Sequence, residues 1–180
     1  LVSGGTLLTR MRRGRPEPAT VADWTRQLAS ALDTAHQAGI LHRDIKPDNV
    51  LLGKDDRMLL ADFGIAKMAD STRLTSTGAV VGTPIYMSPE IAQGKDATRA
   101  SDLYALAVLV FELLVGAPPF DGDSPLAVMN LHVHGAIPRA TERDSALPKA
   151  VDAVFEWGLA KDPSRRPASC AEFAQALEEA

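Results

Sequence analysis

The stretch "ILHRDIKPDNVLL", residues 40–52, sets His42, Arg43, Asp44, Lys46, Asp48 and Asn49 between two apolar ends. A solvated loop can be this polar, but it is not normally anchored on both sides by core-type residues. The stretch therefore reads as a loop fastened into the fold, with its charges gathered to hold something.

Outward from the loop, "NVLLGKDDRMLLADFG" has two short apolar runs around Lys54, Asp55 and Asp56, the pattern of a β-hairpin. Upstream, Val21, Trp24, Leu28, Ala31, Leu32 and Ala35 recur at helical spacing, with Thr20 and Asp23 read as a capping box and Gly39 as the stop. Before it, "TLLTRMRRG" reads as a short helix capped by Thr6, and Arg10, Arg12, Arg13 and Arg15 as its solvated end. Residues 65–90, rich in Thr, Ser, Gly and Pro, have no periodicity, and irregular segments of that length are usually functional or disordered.

"LYALAVLVFELLVG" (Leu103–Gly116) contains Glu112 and falls short of the roughly 20 residues that span a bilayer, so it reads as a buried central helix over 101–115. Further helices start at Ser124–Pro125, at Pro148, and at Ser169 with Glu172. The fold class is mainly α with a small β-hairpin region.

The 180 residues suffice for one domain with a core, and a net charge of −4 (19 basic against 23 acidic) implies no general affinity for nucleic acid. One cysteine, Cys170, excludes an internal disulfide, suits a reducing compartment and reads as a small packing residue. His132 and His134 sit in an expected helix without a further soft ligand nearby, and Trp24 and Trp157 read as core.

The chemistry concentrates around the opening loop. Asp44 and Asn49 are five residues apart, and Asp62 follows the hairpin, so these oxygens can converge on one hard cation such as Mg²⁺. Lys46 offers a mobile positive charge to a phosphate, and Asp44 can accept a proton from a hydroxyl. Each residue alone also has a plain use, as a turn cap or a partner for loop backbone.

Together, "HRDIKPDN", the following "DFG" and the later "SPE" (Ser88, Pro89, Glu90) match, in order, the catalytic loop, the metal loop and the Ala-Pro-Glu mark of protein kinases. The sequence resembles the large, C-terminal lobe of a protein kinase along nearly its whole length. Lys46 in "DIKPDN" and Thr83 in "GTPIYMSPE" look like the serine/threonine type, and "GGTL" and "TSTGAVVGT" are similar to bacterial eukaryotic-like kinases of actinobacterial flavour.

The resemblance implies a kinase domain over 1–180, with a hinge at 1–5, a catalytic loop at 42–49 and an activation segment at 62–90. It implies Asp44 as base, Lys46 on the γ-phosphate of ATP, Asn49 and Asp62 on Mg²⁺, and Thr83 bonded to Asp44 and Lys46. By the same resemblance Leu51 is the floor of the adenine pocket, Leu1 and Val2 belong to the hinge, and Phe63 and Gly64 shape the metal loop. His42 is a packing residue, Asp102 fixes the catalytic-loop backbone, and Glu90 pairs with Arg166. Thr75 and Thr77 match phosphorylated positions, with Arg43 as the phosphate partner.

ATP and proteins bearing Ser or Thr are the expected partners; no nucleic acid and no membrane contact are expected from this segment. The resemblance leaves room for a dimer of the intact kinase. The expected location is cytoplasmic, with room for an anchor elsewhere in the parent. No Gly-rich phosphate loop, strand lysine or paired helix glutamate is recognisable, and the chain opens at Leu1 in mid-pattern, so it reads as a fragment expected to be inactive alone. A kinase-like scaffold without catalysis is the alternative, and the joint retention of Asp44, Lys46, Asn49 and Asp62 argues against it.

Overall fold

The structure is a computed structural model and describes residues 4–63 and 84–180. Among these, the elements run α1 (Leu7–Met11), α2 (Pro18–Gln37), β1 (Val50–Leu52), β2 (Met58–Leu60), α3 (Pro89–Ala92), α4 (Arg99–Val115), α5 (Pro125–His134), α6 (Ala140–Arg143), α7 (Ala150–Gly158) and α8 (Cys170–Glu179). Short 3₁₀ turns cover Pro47–Asn49, Lys54–Asp56 and Pro163–Arg165.

The centre is α4. Every residue from Ser101 to Phe111 is buried, as are Leu113 and Leu114. A helix apolar on nearly all sides has to be enclosed, and α2, α6, α7 and α8 pack around it. Its exception, Glu112, is half-buried and accepts a hydrogen bond from the Tyr86 hydroxyl. The helix ends at Gly116, whose φ of 85° lies in the left-handed region that glycine enters without a Cβ clash. Among the described residues no helix is long and apolar enough to cross a membrane.

α2 lies between α4 and α8 and buries Val21, Trp24, Thr25, Leu28, Ala29, Leu32 and His36. The spacing of three and four is the expected one, but the stripe is rotated: Ala31 and Ala35 are only half-buried, and Thr25, Ala29 and His36 are inside. The capping box at Thr20 and Asp23 does not form. The helix starts already at Pro18, which has the right φ and no N–H to satisfy at a first helical position. Thr20 and Asp23 therefore lie in the helix body, where the Asp23 carboxylate accepts from Gln27 and Arg26 instead.

α7 buries Val151, Val154, Phe155 and Gly158, and the ring of Phe155 meets Phe111 of α4 edge-on at 4.9 Å. Trp157 falls off that stripe and is 39% exposed, so it is not a core residue as expected; Trp24, at 1%, is. Of the arginines near α1, Arg12 and Arg13 are exposed, whereas Arg10 lies over the Trp24 ring and Arg15 pairs with Asp144. The helix caps at Thr6, Ser124 and Ser169 form as expected.

The hairpin is antiparallel, pairing Val50 with Leu60, Leu51 with Leu59 and Leu52 with Met58. Val50, Leu52 and Met58 face the core. On the free edge of β1, Gly4 N donates to Leu52 O at 3.0 Å and Leu52 N to Gly5 O at 2.9 Å. A Cβ on Gly4 would lie 2.5 Å from Leu52 O, so this approach needs glycine.

Candidate active site

The 42–49 loop is fastened to α4 by one side chain. Asp102, in the first turn of α4 and 2% exposed, accepts from His42 N at Oδ2 and from Arg43 N at Oδ1, each at 2.8 Å. The same Oδ2 lies 2.8 Å from His36 Nε2. A buried carboxylate is costly unless its lone pairs are filled, and here three nitrogens and the positive end of α4 fill them. The two amide bonds hold Arg43 at a φ of 66°, a left-handed conformation unusual for a residue with a side chain. The chain turns sharply there: His42 is buried, Arg43 exposed and Asp44 half-buried.

His42 joins this loop to the segment after the hairpin. Its Nδ1 accepts from Asp44 N at 3.3 Å, its Nε2 faces Ala61 O at 3.1 Å, and its ring lies 4.7 Å from that of Phe63. A neutral ring protonated on Nε2 satisfies both contacts. Burial holds its pKa below the usual imidazole range, outweighing the opposing pull of Asp102, the Ala61 carbonyl, Asp44 and Asp62. His42 is thus a neutral strut.

Around Asp44 the polar groups converge. Its Oδ2 accepts from Lys46 Nζ at 2.9 Å and from Asn49 Nδ2 at 3.0 Å. Asn49 Nδ2 also donates to Asp44 O at 2.8 Å, and Asn49 O accepts from Ala61 N at 2.9 Å. The last bond, with the His42–Ala61 contact, brings the end of β2 against the loop, so Asp62 follows within electrostatic reach of His42. Asp62 is exposed, with a φ of 57°. Asn49 has committed its amide nitrogen to Asp44, which leaves its oxygen as an acceptor. Asn49 and Asp62 carry oxygens of the kind a hard cation such as Mg²⁺ takes, and Lys46 carries a flexible positive charge of the kind that can meet a phosphate. Leu51 is half-buried on β1 and bridges Thr6.

A second buried cluster lies at the same end of α4. Arg166 grips Glu90 with two bonds, Nη1 to Oε1 at 2.9 Å and Nη2 to Oε2 at 2.8 Å. It also donates to Ala100 O and Ala160 O and lies over the Tyr104 ring. Ser101 Oγ donates to Glu90 Oε1 at 2.7 Å. Burial alone raises the Glu90 pKa, but the bonds from Arg166 and Ser101 bring it below the ordinary value.

The structure therefore brings together Asp44, Lys46, Asn49 and, through His42 and Arg43, Asp102. Val2, Gly64, Thr75, Thr77 and Thr83 lie outside the described residues. Sequence reasoning passed over His36, the third partner of Asp102, and Asp33, whose carboxylate accepts from Cys170 N at 3.0 Å and Ala171 N at 2.9 Å. His36 had a signal: it stands one helical step after Leu32, a titratable residue at a core position. Asp33 had none, because its partners are 137 and 138 residues away.

Comparison with known proteins adds two findings. A family profile described as protein kinase domain matches residues 1–179. The serine/threonine-protein kinase PknE of Mycobacterium tuberculosis (strain H37Rv) is 42% identical over 181 residues, covering 100% of this chain and 32% of PknE. PknH of the same strain is 43% identical over 182 residues, covering 100% of the chain and 29% of PknH. PknJ of Mycobacterium bovis is 42% identical over 181 residues, with 97% and 31% covered. The chain spans about a third of the length of the curated relatives it matches.

Proposed function

This chain belongs to the protein kinase family, and from that premise we propose that the protein transfers the γ-phosphate of ATP to serine and threonine hydroxyls of proteins. The observation that carries this reading is the Asp44 carboxylate, held between Lys46 and Asn49 in a loop whose backbone Asp102 fixes. Asp44 orients the acceptor hydroxyl and takes its proton. Lys46, already 2.9 Å from that carboxylate, is close enough to meet the transferring phosphoryl group as the hydroxyl attacks it. Asn49 and Asp62 would hold Mg²⁺, which supplies charge neutralisation on the ATP phosphates when bound. Positioning and charge stabilisation are what such a reaction asks of a protein, since its transition state is loose and anionic.

In this reading 1–180 is the large-lobe part of the kinase domain, with Val2 and Leu51 at the adenine and Thr83 on Asp44 and Lys46. Arg43, exposed beside the base, is the partner for phosphate on Thr75 or Thr77. The test is made in the full-length protein. Asp44→Asn is expected to lower turnover on a protein substrate by about 10²-fold or more while leaving ATP affinity intact. Asp62→Asn is expected to weaken Mg²⁺-ATP binding instead. Wild-type turnover in Asp44→Asn would overturn the assignment.

A further inference from the structure

Asp33, His36 and Cys170 meet where the C-terminal half of α2 packs on the first turn of α8. A carboxylate oxygen, an imidazole nitrogen and the thiol sulfur lie there within 4.8 Å of one another. Asp33 and His36, three residues apart, share one face of α2. His36 and Cys170 are buried and Asp33 is half-buried.

Helix capping explains part of the cluster but not all of it. Asp33 takes the Cys170 and Ala171 amides and Ser169 takes that of Glu172, so the start of α8 is satisfied without an imidazole or a thiol. His36, moreover, is oriented from behind. Its Nε2 meets Asp102 at 2.8 Å, and its Nδ1 is on the side of Asp33, 3.9 Å from Oδ1. A carboxylate bonded to one imidazole nitrogen, with the other turned toward further donors, is the arrangement that orients metal-binding histidines.

We propose that Asp33, His36 and Cys170 form a binding site for a Zn²⁺-type cation between α2 and α8. The donor set decides the metal class. Sulfur, nitrogen and one carboxylate oxygen suit Zn²⁺, whereas Mg²⁺ and Ca²⁺ take oxygen throughout. Bonds of about 2.0–2.3 Å place tetrahedral donors roughly 3.3–3.8 Å apart. The 3.9 Å between His36 and Asp33 is already close to that, and since no two donors are more than 4.8 Å apart the remaining contraction is at most about 1.5 Å. Asp33 also lines a cleft of about 370 Å³ between α2 and α8, together with Ser30, Thr34, Ala171 and Gln175, and His36 and Cys170 lie buried behind it. On binding, the Cys170 S–H bond breaks, its proton passes to solvent, and the sulfur electron pair forms the metal bond. The two charges of the cation are balanced by the thiolate and Asp33.

The site is tested on the chelator-stripped 180-residue chain with Co²⁺ and Zn²⁺ salts alone. One equivalent of Co²⁺ is expected to give a near-ultraviolet thiolate-to-cobalt absorption band that Zn²⁺ abolishes. Cys170 is the one cysteine in the sequence, so the band reports that residue. Zn²⁺ is expected to raise the melting temperature in a concentration-dependent way. Cys170→Ser is expected to lose both effects, and Asp33→Asn to keep the band with affinity lowered about tenfold or more. Should Cys170→Ser fail to fold, the band in the parent chain and the affinity of Asp33→Asn decide the matter. No band at saturating Co²⁺, or a Zn²⁺ response undiminished in both variants, would overturn the proposal.

Discussion

Asp102 and Glu90 are both buried carboxylates at the first turn of α4, and their partners differ in kind. Asp102 accepts from two successive backbone amides, those of His42 and Arg43, and meets one imidazole. Glu90 takes a bidentate guanidinium and a hydroxyl. Amides are fixed to the chain, so filling a carboxylate with them dictates a backbone path, down to the left-handed Arg43. A guanidinium sits at the end of a long side chain, so the pair with Arg166 ties distant segments together without dictating the path of either. The same chemical group thus acts as a template in one place and as a clamp in the other.

The largest effect that can break this comparison is on the clamp. Arg166→Ala strands a buried carboxylate, and a loss of about 3–5 kcal/mol in chemical denaturation is expected. The double variant Glu90→Leu, Arg166→Met is expected to recover most of it, since the penalty comes from an unpaired charge. A single-variant loss below about 1 kcal/mol would place Glu90 in water and end the contrast.

Asp102→Asn comes next. The amide keeps one acceptor oxygen and turns a donor toward the other loop N–H, so about 1–3 kcal/mol is expected to be lost. The distinguishing readout is local: hydrogen exchange at His42 and Arg43 is expected to rise before exchange elsewhere, and phosphotransfer by the full-length protein to fall. Uniform exchange across the chain would mean that Asp102 clamps as Glu90 does.

Acid separates buried groups by sign and by window. Glu90 has a lowered pKa in the fold, so its contribution is complete above the ordinary carboxylate range and is lost as pH falls through the folded value. His132 is held down to about 4, by burial first and by the Lys161 charge second. Between about 6.5 and about 4 the unfolded chain therefore binds more protons at this residue than the folded one, and stability falls as pH falls through that window. Stability measured against pH is expected to slope in that interval, and His132→Gln to reduce the slope, with His42 contributing to what remains and the Glu90 limb left below it. The smallest effect is expected at the exposed Asp23–Arg26 pair, where Arg26→Ala should change stability by no more than about 0.5 kcal/mol in the same denaturation assay.

The sequence made the central helix legible because α4 is too long and too apolar to be anything else outside a bilayer. The hairpin was legible because two apolar triplets bracket a polar turn. Asp44, Lys46, Asn49 and Asp62 stood out through their spacing, and Asp102, Glu90 and Arg166 through resemblance to the family. The box at Thr20 and Asp23 misled because its pattern is sound and Pro18 merely starts the helix sooner. Trp157 misled because α7 carries apolar residues on more than one face, so periodicity does not choose among them. The contact of Asp33 with α8 was beyond any local pattern, since 137 residues separate Asp33 from Cys170.

The template and the loop it shapes are also far apart along the chain, and this has a consequence in time. Arg43 and Asp102 are 59 residues apart, and Glu90 and Arg166 are 76. A polypeptide emerging N-terminus first presents the 42–49 loop well before the residue that bends it. Until α4 has been made and docked, the two amide bonds to Asp102 that hold the left-handed turn at Arg43 are missing, so Asp44 has no fixed position. Contacts of such long sequence separation also slow folding. A half-made chain therefore carries the polar side chains of the 42–49 loop without their geometry, and the arrangement around Asp44 forms only as the late-emerging segments settle around α4.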